Sequence, residues 1–553
     1  MKTMFNILLT GLVGCAMCAT ATSCSDDEIT GDPARDWAGT TELFASTDDQ
    51  GFNTYYTPAV GRVGDPMPFY DKKAGNFKVL YLQEYTNNRA YRYHPIWAVA
   101  TADGAHYESA GELLPVGTND FQQDAALGTG CCYYSEQDGL YYIYYTGHNP
   151  QAQYTEAVMR ATSPDFKTWT RDDLWQLNGP ANGYSSVDFR DPQIFEAEDG
   201  LYHMVVATKP ETGGDPCYAE YTSTDLKTWQ HAGRFPMIWD RMLECPDIFK
   251  MGNYWYLVYS ESVRTSWSRK VKYLVANSYD DLKACLGGSP RWPQDDHEGV
   301  LESRAFYAGK TASNGTDRYI WGWCPFRSGS DIHEKNVNVG GGDGNEPNWS
   351  GALVCHKIIQ HENGLLTLGE VPAMAAKYNK QQEVSVMASA NTHHPSPNTY
   401  QLTGDGAYVL FNRLGTCNHI SMTVKTAGDE DKFGISLVRG SDSKKYYTMV
   451  INPEWAGGRR KVNFEQEGPE GMGFIDGADG YIFVRPADNT YKIDIYTDNS
   501  VMVMYVRSTS GRSQGENDVC SYTQRIYGIQ KNCWSVNGYG GTITVSDVKV
   551  SQQ

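Results

Sequence analysis

Three carboxylic acids in this chain stand in short proline-containing segments, and each segment precedes an aromatic run typical of a β-strand. They are Asp65 in Gly-Asp-Pro, Asp191 in Arg-Asp-Pro and Glu244 in Glu-Cys-Pro-Asp. Proline stiffens the backbone of each segment. The similar lag from acid to aromatic run indicates one structural unit used several times. We therefore expect the three acids to occupy equivalent places in repeated units.

Three acids around one pocket would suit the cleavage of a glycosidic bond. That reaction needs one carboxylic acid to protonate the leaving oxygen, and a second carboxylate to attack the sugar or to activate water. A third acid can bind sugar hydroxyls and stabilise the positive charge that develops on the ring. A lone Asp before Pro is a common turn residue, so this interpretation depends on the three acids together.

The elements that must position these acids are strands of a repeated unit. Segments of the form Ser-x-Asp-x-Lys-Thr-Trp, at 163–169 and 223–229, begin 60 residues apart. A unit of about that length with several short strands is typical of a β-propeller blade. Aromatic strand-like runs recur at five places, which predicts five blades: 77–85, 140–145, 201–208, 254–260 and 318–323. A β-sandwich with an accidental likeness is the alternative.

A propeller would bring the three acids together, because equivalent positions in successive blades point at the common axis. Asp65, Asp191 and Glu244 precede the corresponding strand of blades one, three and four. Segments 128–130 and 306–308 stand at the corresponding places in blades two and five. We therefore expect one pocket at one mouth of the central channel.

Composition and charge narrow the class of protein and of partner. Aromatic residues make up 13% of the 553 residues and there are 55 glycines, which favours an all-β protein with many tight turns. The net charge of −19 repels polyphosphates, so we expect no nucleic acid partner and an uncharged oligo- or polysaccharide substrate. Outside the N-terminal segment, the cysteines form no Cys-x-x-Cys pair with a nearby His, so we expect neither a metal nor another cofactor.

The N-terminal segment resembles the signal of an exported bacterial lipoprotein. Lys2 precedes an apolar stretch over 5–17, small residues lead to Cys24, and acidic residues follow it. The stretch is too short for a membrane span. We predict a signal peptide over 1–24 with lipid attachment at Cys24, and a polar tether over 25–48. The protein would then be held at the outer membrane, at the cell surface or in the periplasm, only through this anchor. A competing lipid-attachment motif, or lipobox, ends at Cys15. Secretion without a lipid anchor is the alternative.

Taken in order, the motifs resemble those of glycoside hydrolase family 32, which comprises invertases, inulinases and levanases. Segments 64–67, 190–192 and 244–247 look like the three signature motifs of the family. Further segments match the family in the same order: 80–83, 144–148, 306–308, 320–323 and 349–353. The resemblance covers about residues 55–375 well and continues weakly to the end of the chain.

The resemblance implies a fold and a set of roles. The fold would be a five-bladed β-propeller followed by a C-terminal antiparallel β-sandwich. The activity would be retaining hydrolysis of fructosyl linkages in fructans or sucrose-like saccharides. Asp65 would be the nucleophile, Glu244 the general acid and then base, and Asp191 the residue that holds sugar hydroxyls and stabilises the transition state. Further residues expected to bind substrate are Gln83, Trp97, Arg190, Tyr307 and Trp321.

Two segments depart from the pattern of the family. Gly64 stands where the family has Asn, and Met67-Pro68 replaces Asn-Gly. The segment 128–130 reads Gly-Thr-Gly in place of Ser-Gly-Ser, with loss of its hydroxyls. These positions shape the sugar site, and two other functions stay open: an inverting, arabinan- or xylan-directed propeller enzyme, and a non-catalytic glycan-binding lipoprotein. A carboxylate separation of about 5–5.5 Å would indicate retention, and about 6.5–9.5 Å inversion.

The rest of the chain divides into a connector and a second domain. We assign residues 49–375 to the propeller and, because they lack strong periodicity, residues 376–398 to a connector. Alternating apolar runs return over 399–553 and predict a β-sandwich that braces the propeller. The glycine-rich segment 340–345 lacks the strand and helix that flank a phosphate-binding loop, and we expect it at the rim of the active site.

Overall fold

The computed structural model describes the chain from residue 54 to residue 553 with internal exceptions. The exceptions are residues 60, 85–93, 120, 237–241, 262–269, 287–298, 304, 326–348, 440–444, 455–458, 469–470, 475–480, 509–518 and 527–532. The predicted signal peptide, tether and lipid-attachment residue Cys24 lie outside the described residues, as does the segment 340–345. No helix in the described part of the chain has both the length and the apolar character needed to cross a bilayer.

The N-terminal part is a five-bladed β-propeller, as predicted. Strands of a blade are antiparallel neighbours in chain order. Their bounds are β1 Arg62–Asp71, β2 Asn76–Glu84, β3 Ile96–Thr101 and β4 Glu108–Leu114 in blade one; β5 Ala126–Ser135, β6 Leu140–His148, β7 Glu156–Ser163 and β8 Thr170–Leu177 in blade two; β9 Tyr184–Glu196, β10 Tyr202–Pro210, β11 Cys217–Ser223 and β12 Gln230–Pro236 in blade three; β13 Leu243–Met251, β14 Tyr254–Glu261 and β15 Val271–Ala276 in blade four; β16 Tyr307–Ser313, β17 Arg318–Pro325, β18 Gly351–Gln360 and β19 Leu366–Gly369 in blade five.

The aromatic runs seen in the sequence form the second strand of each blade. Blades pack face to face, so a second strand is covered on both sides and both of its faces are apolar. In β6, for example, every side chain from Tyr141 to Tyr145 is buried. Helix α1 (Tyr279–Leu286) follows blade four and buries Leu282 and Leu286. Val63 pairs with Gly351, so blades five and one share a continuous sheet that closes the ring.

The first strands of the five blades surround the central channel, since each contacts the first strands of both neighbouring blades. Every one of them is interrupted by a β-bulge at the same level. The bulges lie between these pairs of residues: Gly64 and Met67, Gly128 and Gly130, Arg190 and Gln193, Glu244 and Asp247, and Tyr307 and Lys310. A bulge bends the strand and re-aims its side chains. This repeated bulge therefore turns side chains toward one mouth of the channel.

The C-terminal part is an antiparallel β-sandwich built around one long strand. Strand β33 pairs with β20, β23, β24 and β25. The bounds are β20 Lys380–Gln382, β21 Val386–Ala390, β22 Thr392–Ser396, β23 Thr399–Arg413, β24 Cys417–Thr426, β25 Phe433–Arg439, β26 Lys445–Glu454, β27 Arg459–Gly468, β28 Gly471–Phe474, β29 Tyr481–Val484, β30 Thr490–Asp498, β31 Val501–Ser508, β32 Val519–Arg525 and β33 Cys533–Gln552. Short helices lie at Pro180–Asn182 (a 3₁₀ turn) and at α2, Met374–Lys377.

The predicted connector over 376–398 is corrected by the structure. Strands β20, β21 and β22 lie within it and pair with β33 and β23 of the sandwich. The side chains of β21 and β22 are nearly all exposed. Because neither strand buries one face, the sequence there lacks the alternation that would predict a strand.

The sandwich is joined to the propeller through buried polar contacts. Glu302, fully buried, accepts a hydrogen bond from the hydroxyl of Thr523 at 2.9 Å. His356 pairs through Nδ1 with the hydroxyl of Tyr505 at 2.8 Å. The guanidinium of Arg525 donates to the carbonyl of Cys324 at 2.7 Å. Breaking a buried polar pair costs free energy, so these contacts hold the two parts together, as expected of a bracing domain.

Candidate active site

A cavity of about 290 Å³ lies where the five bulges meet. Its volume is at the lower end of the range of about 300–1,000 Å³ for small-ligand pockets. All five first strands contribute to its wall. The described lining residues are Asp65, Leu82, His94, Ala126, Leu127, Gly128, Thr129, Thr146, His148, Glu156, Arg190, Asp191, Glu244, Cys245, Tyr307 and Trp349. The three acids singled out from the sequence are thus brought together.

The three acids do not occupy fully equivalent places, which corrects the expectation from the sequence. Strand pairing separates two rows of residues around the channel. The last residues paired before each bulge, the pre-bulge row, are Gly64, Gly128, Arg190, Glu244 and Tyr307; the first residues within each bulge, the bulge row, are Asp65, Thr129, Asp191, Cys245 and Ala308. Glu244 therefore stands one residue earlier in its strand than the other two acids. The sequence spacing was too coarse to resolve this offset.

Asp65 is fixed by two donors, one to each carboxylate oxygen. The hydroxyl of Thr129 donates to Oδ2 at 2.7 Å. The indole N–H of Trp323 donates to Oδ1 at 2.9 Å. Such charge-assisted bonds orient a carboxylate and stabilise its ionised form. The segment 128–130 therefore does supply a hydroxyl to the site, contrary to the inferred loss.

Glu244 is held by a second set of donors. The hydroxyl of Tyr307 donates to Oε2 at 2.8 Å, and the guanidinium of Arg190 donates to Oε1 at 3.1 Å. Arg190 also pairs with Glu156 at 3.2 Å and with Asp188 at 3.1 Å. Burial alone would lower the pKa of Arg190, but the surrounding carboxylates, Glu156 foremost, raise it well above its usual value. Arg190 is thus a permanent cation beside Glu244.

Asp191 is the most enclosed of the three acids, with 4% of its surface exposed. Its φ of 59° belongs to the left-handed region, which the bulge imposes. Its Oδ2 accepts the backbone N–H of Cys245 at 2.8 Å. Burial, reinforced by the charges of Glu244 and Asp65 and opposed by Arg190, raises the pKa of Asp191 to about 7. Asp191 therefore keeps its proton to a higher pH than an exposed aspartate does.

Two of the five further residues expected to bind substrate reach the cavity, and three do not. Arg190 and Tyr307 line it. Gln83 is buried in β2 beside the cavity, and its side chain packs over Gly61. Trp97, on the third strand of blade one, packs into the propeller core. Gln83 and Trp97 are therefore not among the described residues that line the cavity.

Trp321 is displaced from the cavity by its level along β17. It pairs with Lys310, further into the channel, and its indole N–H donates to the hydroxyl of Tyr107 at 3.1 Å. Trp323 pairs with Tyr307 and reaches Asp65 instead. Both tryptophans belong to the segment 320–323 that carried the resemblance. Only strand register, which the sequence does not contain, distinguishes them.

Sequence reasoning also missed the side chains that wall the cavity next to Asp65. Trp349 stacks on His94 with ring centroids 4.5 Å apart. A Cβ atom on Gly64 would lie 2.4 Å from the Trp349 ring. Glycine at position 64 thus leaves the space that the indole fills. The departure from the family pattern at Gly64 and the wall formed by Trp349 are therefore one feature of this site.

Family models match both parts of the chain. Residues 55–368, more than half of the chain, match the model of the glycosyl hydrolases family 32 N-terminal domain. Residues 364–550 match the model described as the GH32, BT1760-like, C-terminal domain. The boundary between the two matches coincides with β19 and agrees with the assignment of β20 to β22 to the sandwich.

Individual relatives were also found. A sucrose-6-phosphate hydrolase of Vibrio alginolyticus is 23% identical over an alignment of 485 positions, which covers 83% of this chain and 84% of the relative. Among solved structures, the sucrose-6-phosphate hydrolase of Lactobacillus gasseri superposes with a TM-score of 0.66 at 15% identity, over 94% of this chain and 96% of that one. Fructan 1-exohydrolase IIa of Cichorium intybus gives a TM-score of 0.66 at 14% identity, over 91% and 98%. At such low identity the structures support the fold alone.

Proposed function

This chain belongs to glycosyl hydrolase family 32, and on that premise we propose that it cleaves fructosyl linkages in fructans or sucrose-like saccharides with retention of configuration. The observation that carries the proposal is the convergence of Asp65, Asp191 and Glu244 on one small cavity. A double displacement at a sugar needs two carboxyl groups, a nucleophile and an acid/base, and a third acid can stabilise the positive charge that develops on the ring.

In the first step, Asp65 would attack the anomeric carbon of the fructosyl unit. The bond from that carbon to the glycosidic oxygen breaks, its electron pair stays on the oxygen, and Glu244 donates the proton that the oxygen needs. Thr129 and Trp323 hold the Asp65 carboxylate for this attack. The products are the released alcohol and a fructosyl ester on Asp65.

In the second step, Glu244 would take a proton from water while the water oxygen attacks the same carbon. The ester bond breaks and Asp65 regains its charge, so the protein returns to its starting state. Tyr307 and Arg190 stabilise the ionised Glu244 that acts as the base. Asp191 would bind sugar hydroxyls and face the positive charge that develops on the ring.

The charges of the cavity favour an uncharged saccharide over a sugar phosphate. Within the described lining, each basic side chain already pairs with a carboxylate: Arg190 with Glu244, His94 with Glu84 at 2.7 Å, and His148 with Glu156 at 3.5 Å. A phosphate would have to displace one of these carboxylates and enter a field of −19. We therefore expect higher kcat/KM for sucrose than for sucrose 6-phosphate, and a reversed preference would contradict this part of the proposal.

The proposal is tested with purified protein on sucrose, inulin, levan and arabinoxylan. We expect fructose or fructooligosaccharides from at least one fructan or from sucrose. Asp65→Ala and Glu244→Gln should each lower kcat by at least about 1,000-fold at unchanged melting temperature. Glu112→Gln, at an exposed position of β4, is the matched control. Full activity of either active-site variant would overturn the assignment.

Stereochemistry separates the competing mechanisms. With methanol as acceptor, retention gives a methyl fructoside of the same anomeric configuration as the substrate, and inversion gives the opposite one. Products from arabinoxylan alone would support the arabinan- or xylan-directed alternative. Binding of a glycan without product after prolonged incubation would support the non-catalytic alternative.

Export and lipid anchoring rest on the N-terminal sequence, and we propose them on that basis. Metabolic labelling with an alkyne fatty acid should mark the wild-type protein and the Cys15→Ser variant but not Cys24→Ser. Fractionation should place the labelled protein in the outer membrane. Labelling that depends on Cys15 would favour the competing lipobox, and unlabelled protein in the medium would favour plain secretion.

A further inference from the structure

One residue from each blade closes the channel immediately beyond the carboxylates. These are the residues at which each first strand regains its pairing after the bulge: Met67, Gly130, Gln193, Asp247 and Lys310. We name them the post-bulge row. Met67, Asp247 and Lys310 are each at most 2% exposed. The row is therefore a packed floor beneath the reacting groups.

Hydrogen bonds connect the members of this floor to each other. The Gly130 N–H donates to Sδ of Met67 at 3.1 Å, and the Gly130 carbonyl accepts Nζ of Lys310 at 2.8 Å. Nε2 of Gln193 donates to Oδ1 of Asp247 at 3.3 Å. Both backbone polar groups of Gly130 are thus hydrogen-bonded, the N–H to Met67 of blade one and the carbonyl to Lys310 of blade five.

Lys310 is the unusual member of the row. A lysine is almost never fully buried unless its charge is compensated. Lys310 extends from blade five to blade two, past the blade that carries Asp65, and ends on the backbone of Gly130. Gly130, whose carbonyl it binds, directly follows Thr129, and the carbonyl of Thr129 accepts the hydroxyl of Thr146 at 2.9 Å. The hydroxyl of Thr129 donates in turn to Asp65.

We propose that Lys310 is a positioning residue for Asp65. It holds the Gly130 peptide so that the hydroxyl of Thr129 meets the carboxylate of Asp65 in the orientation needed for attack. Lys310 touches neither substrate nor reacting atoms in this arrangement. The inference rests on the proposed function in one respect, which is that Asp65 is the attacking group.

The variants Lys310→Met, Thr129→Val and their combination test this chain of contacts. Each single change should lower kcat about 10-fold or more, since a bond to a charged group is weakened or lost, with little change in KM. If Lys310 acts through Thr129, adding Lys310→Met to Thr129→Val should cost less than about threefold more. Lys310→Gln, which keeps a donor, should recover part of the loss. Lys78→Met, at a half-buried position near the start of β2, is the control and should leave kcat unchanged.

Independent, multiplicative losses in the double variant, or a loss confined to KM, would overturn the proposal. Fructosyl fluoride sharpens the test because fluoride leaves without a proton from Glu244. Lys310→Met should slow its initial fluoride burst as much as it slows the natural substrates, whereas Glu244→Gln should slow that burst far less. Equal sensitivity of the burst to both changes would also count against a role at Asp65.

A readout without turnover separates this inference from the proposed function. Hydrogen–deuterium exchange of peptides covering β5 should rise around 128–131 in Lys310→Met and stay unchanged in Lys78→Met. If exchange rises while the wild type cleaves none of the substrates, the proposed function fails and the positioning contact stands. Exchange around 128–131 that stays unchanged in a folded Lys310→Met protein would overturn the inference itself, whether or not Lys310→Gln also leaves it unchanged.

Discussion

The bulge row and the pre-bulge row differ in what they do to the carboxylates of the site. In the bulge row, the hydroxyl of Thr129 supports Asp65. In the pre-bulge row, Tyr307 and Arg190 support Glu244. The bulge row contains two of the acids and the pre-bulge row contains one, and the described donors to Asp65 differ from those to Glu244.

This separation follows from a displacement of one residue along the strand. In a regular strand such a step would turn the side chain to the opposite face. The bulge removes that alternation locally, so that both rows reach the same cavity. The repeated backbone therefore decides where a side chain points, while its place before or within the bulge decides which set of donors it meets.

Asp191, the third acid, belongs to the bulge row but faces the charges of both rows. Asp191→Asn should lower kcat about 100- to 1,000-fold, because the variant loses the negative charge that stabilises the developing charge on the ring. KM should change less than kcat. Initial rates on the best wild-type substrate measure this. A loss below about threefold would make Asp191 a structural member of the bulge row only.

The same substitution should change the dependence of stability on pH. The pKa of Asp191 is raised by burial from 3.8 to about 7, so between these values the folded protein binds more protons than the unfolded chain. The free energy of unfolding that protonated Asp191 contributes at low pH is therefore lost as the pH rises toward 7. Asp191→Asn removes the ionisation, so its stability relative to wild type should rise over this range, by at most about 4 kcal/mol, and then level off.

Denaturation midpoints at pH 4.5 and pH 8 check this expectation. Glu112→Gln, at the exposed position of β4, should keep the wild-type difference between the two values. An Asp191→Asn protein that is destabilised at pH 8 by as much as at pH 4.5 would contradict the raised pKa of Asp191.

The repeat in the sequence predicts the blades and the convergence of the acids, but it does not predict strand register or contacts between blades. The aromatic runs and Pro-flanked acids identify the five blades and bring Asp65, Asp191 and Glu244 to one mouth. They cannot distinguish Trp321 from Trp323, because only the pairing of β16 with β17 shows which one is level with Asp65. They also cannot show that Gly64 accommodates Trp349, since those residues lie in different blades and meet only after folding.

The close approach of Trp349 to Gly64 predicts a smaller effect on activity, and its test concerns the pre-bulge row alone. Gly64→Ala should lower kcat/KM about 10- to 100-fold, because its Cβ atom would stand 2.4 Å from the Trp349 ring and displace it. In a Trp349→Ala background, the same change should cost almost nothing. Gly538→Ala, whose nearest neighbour would be 3.5 Å away, is the matched control. An equal loss in both backgrounds would show that Gly64 acts on something other than Trp349.

The smallest effect decides whether the two rows are separate units. Tyr307→Phe should lower kcat about 10-fold, since Glu244 loses a donor to its ionised form. Loss of that donor also favours the protonated form of Glu244, so the alkaline limb of the pH profile of kcat should move to higher pH. Tyr400→Phe, in the sandwich, should do neither. Combined with Thr129→Val, the losses should multiply, because Thr129 supports Asp65 and Tyr307 supports Glu244. A double variant no worse than the poorer single one would show that the two rows hold a single, shared hydrogen-bonded unit instead.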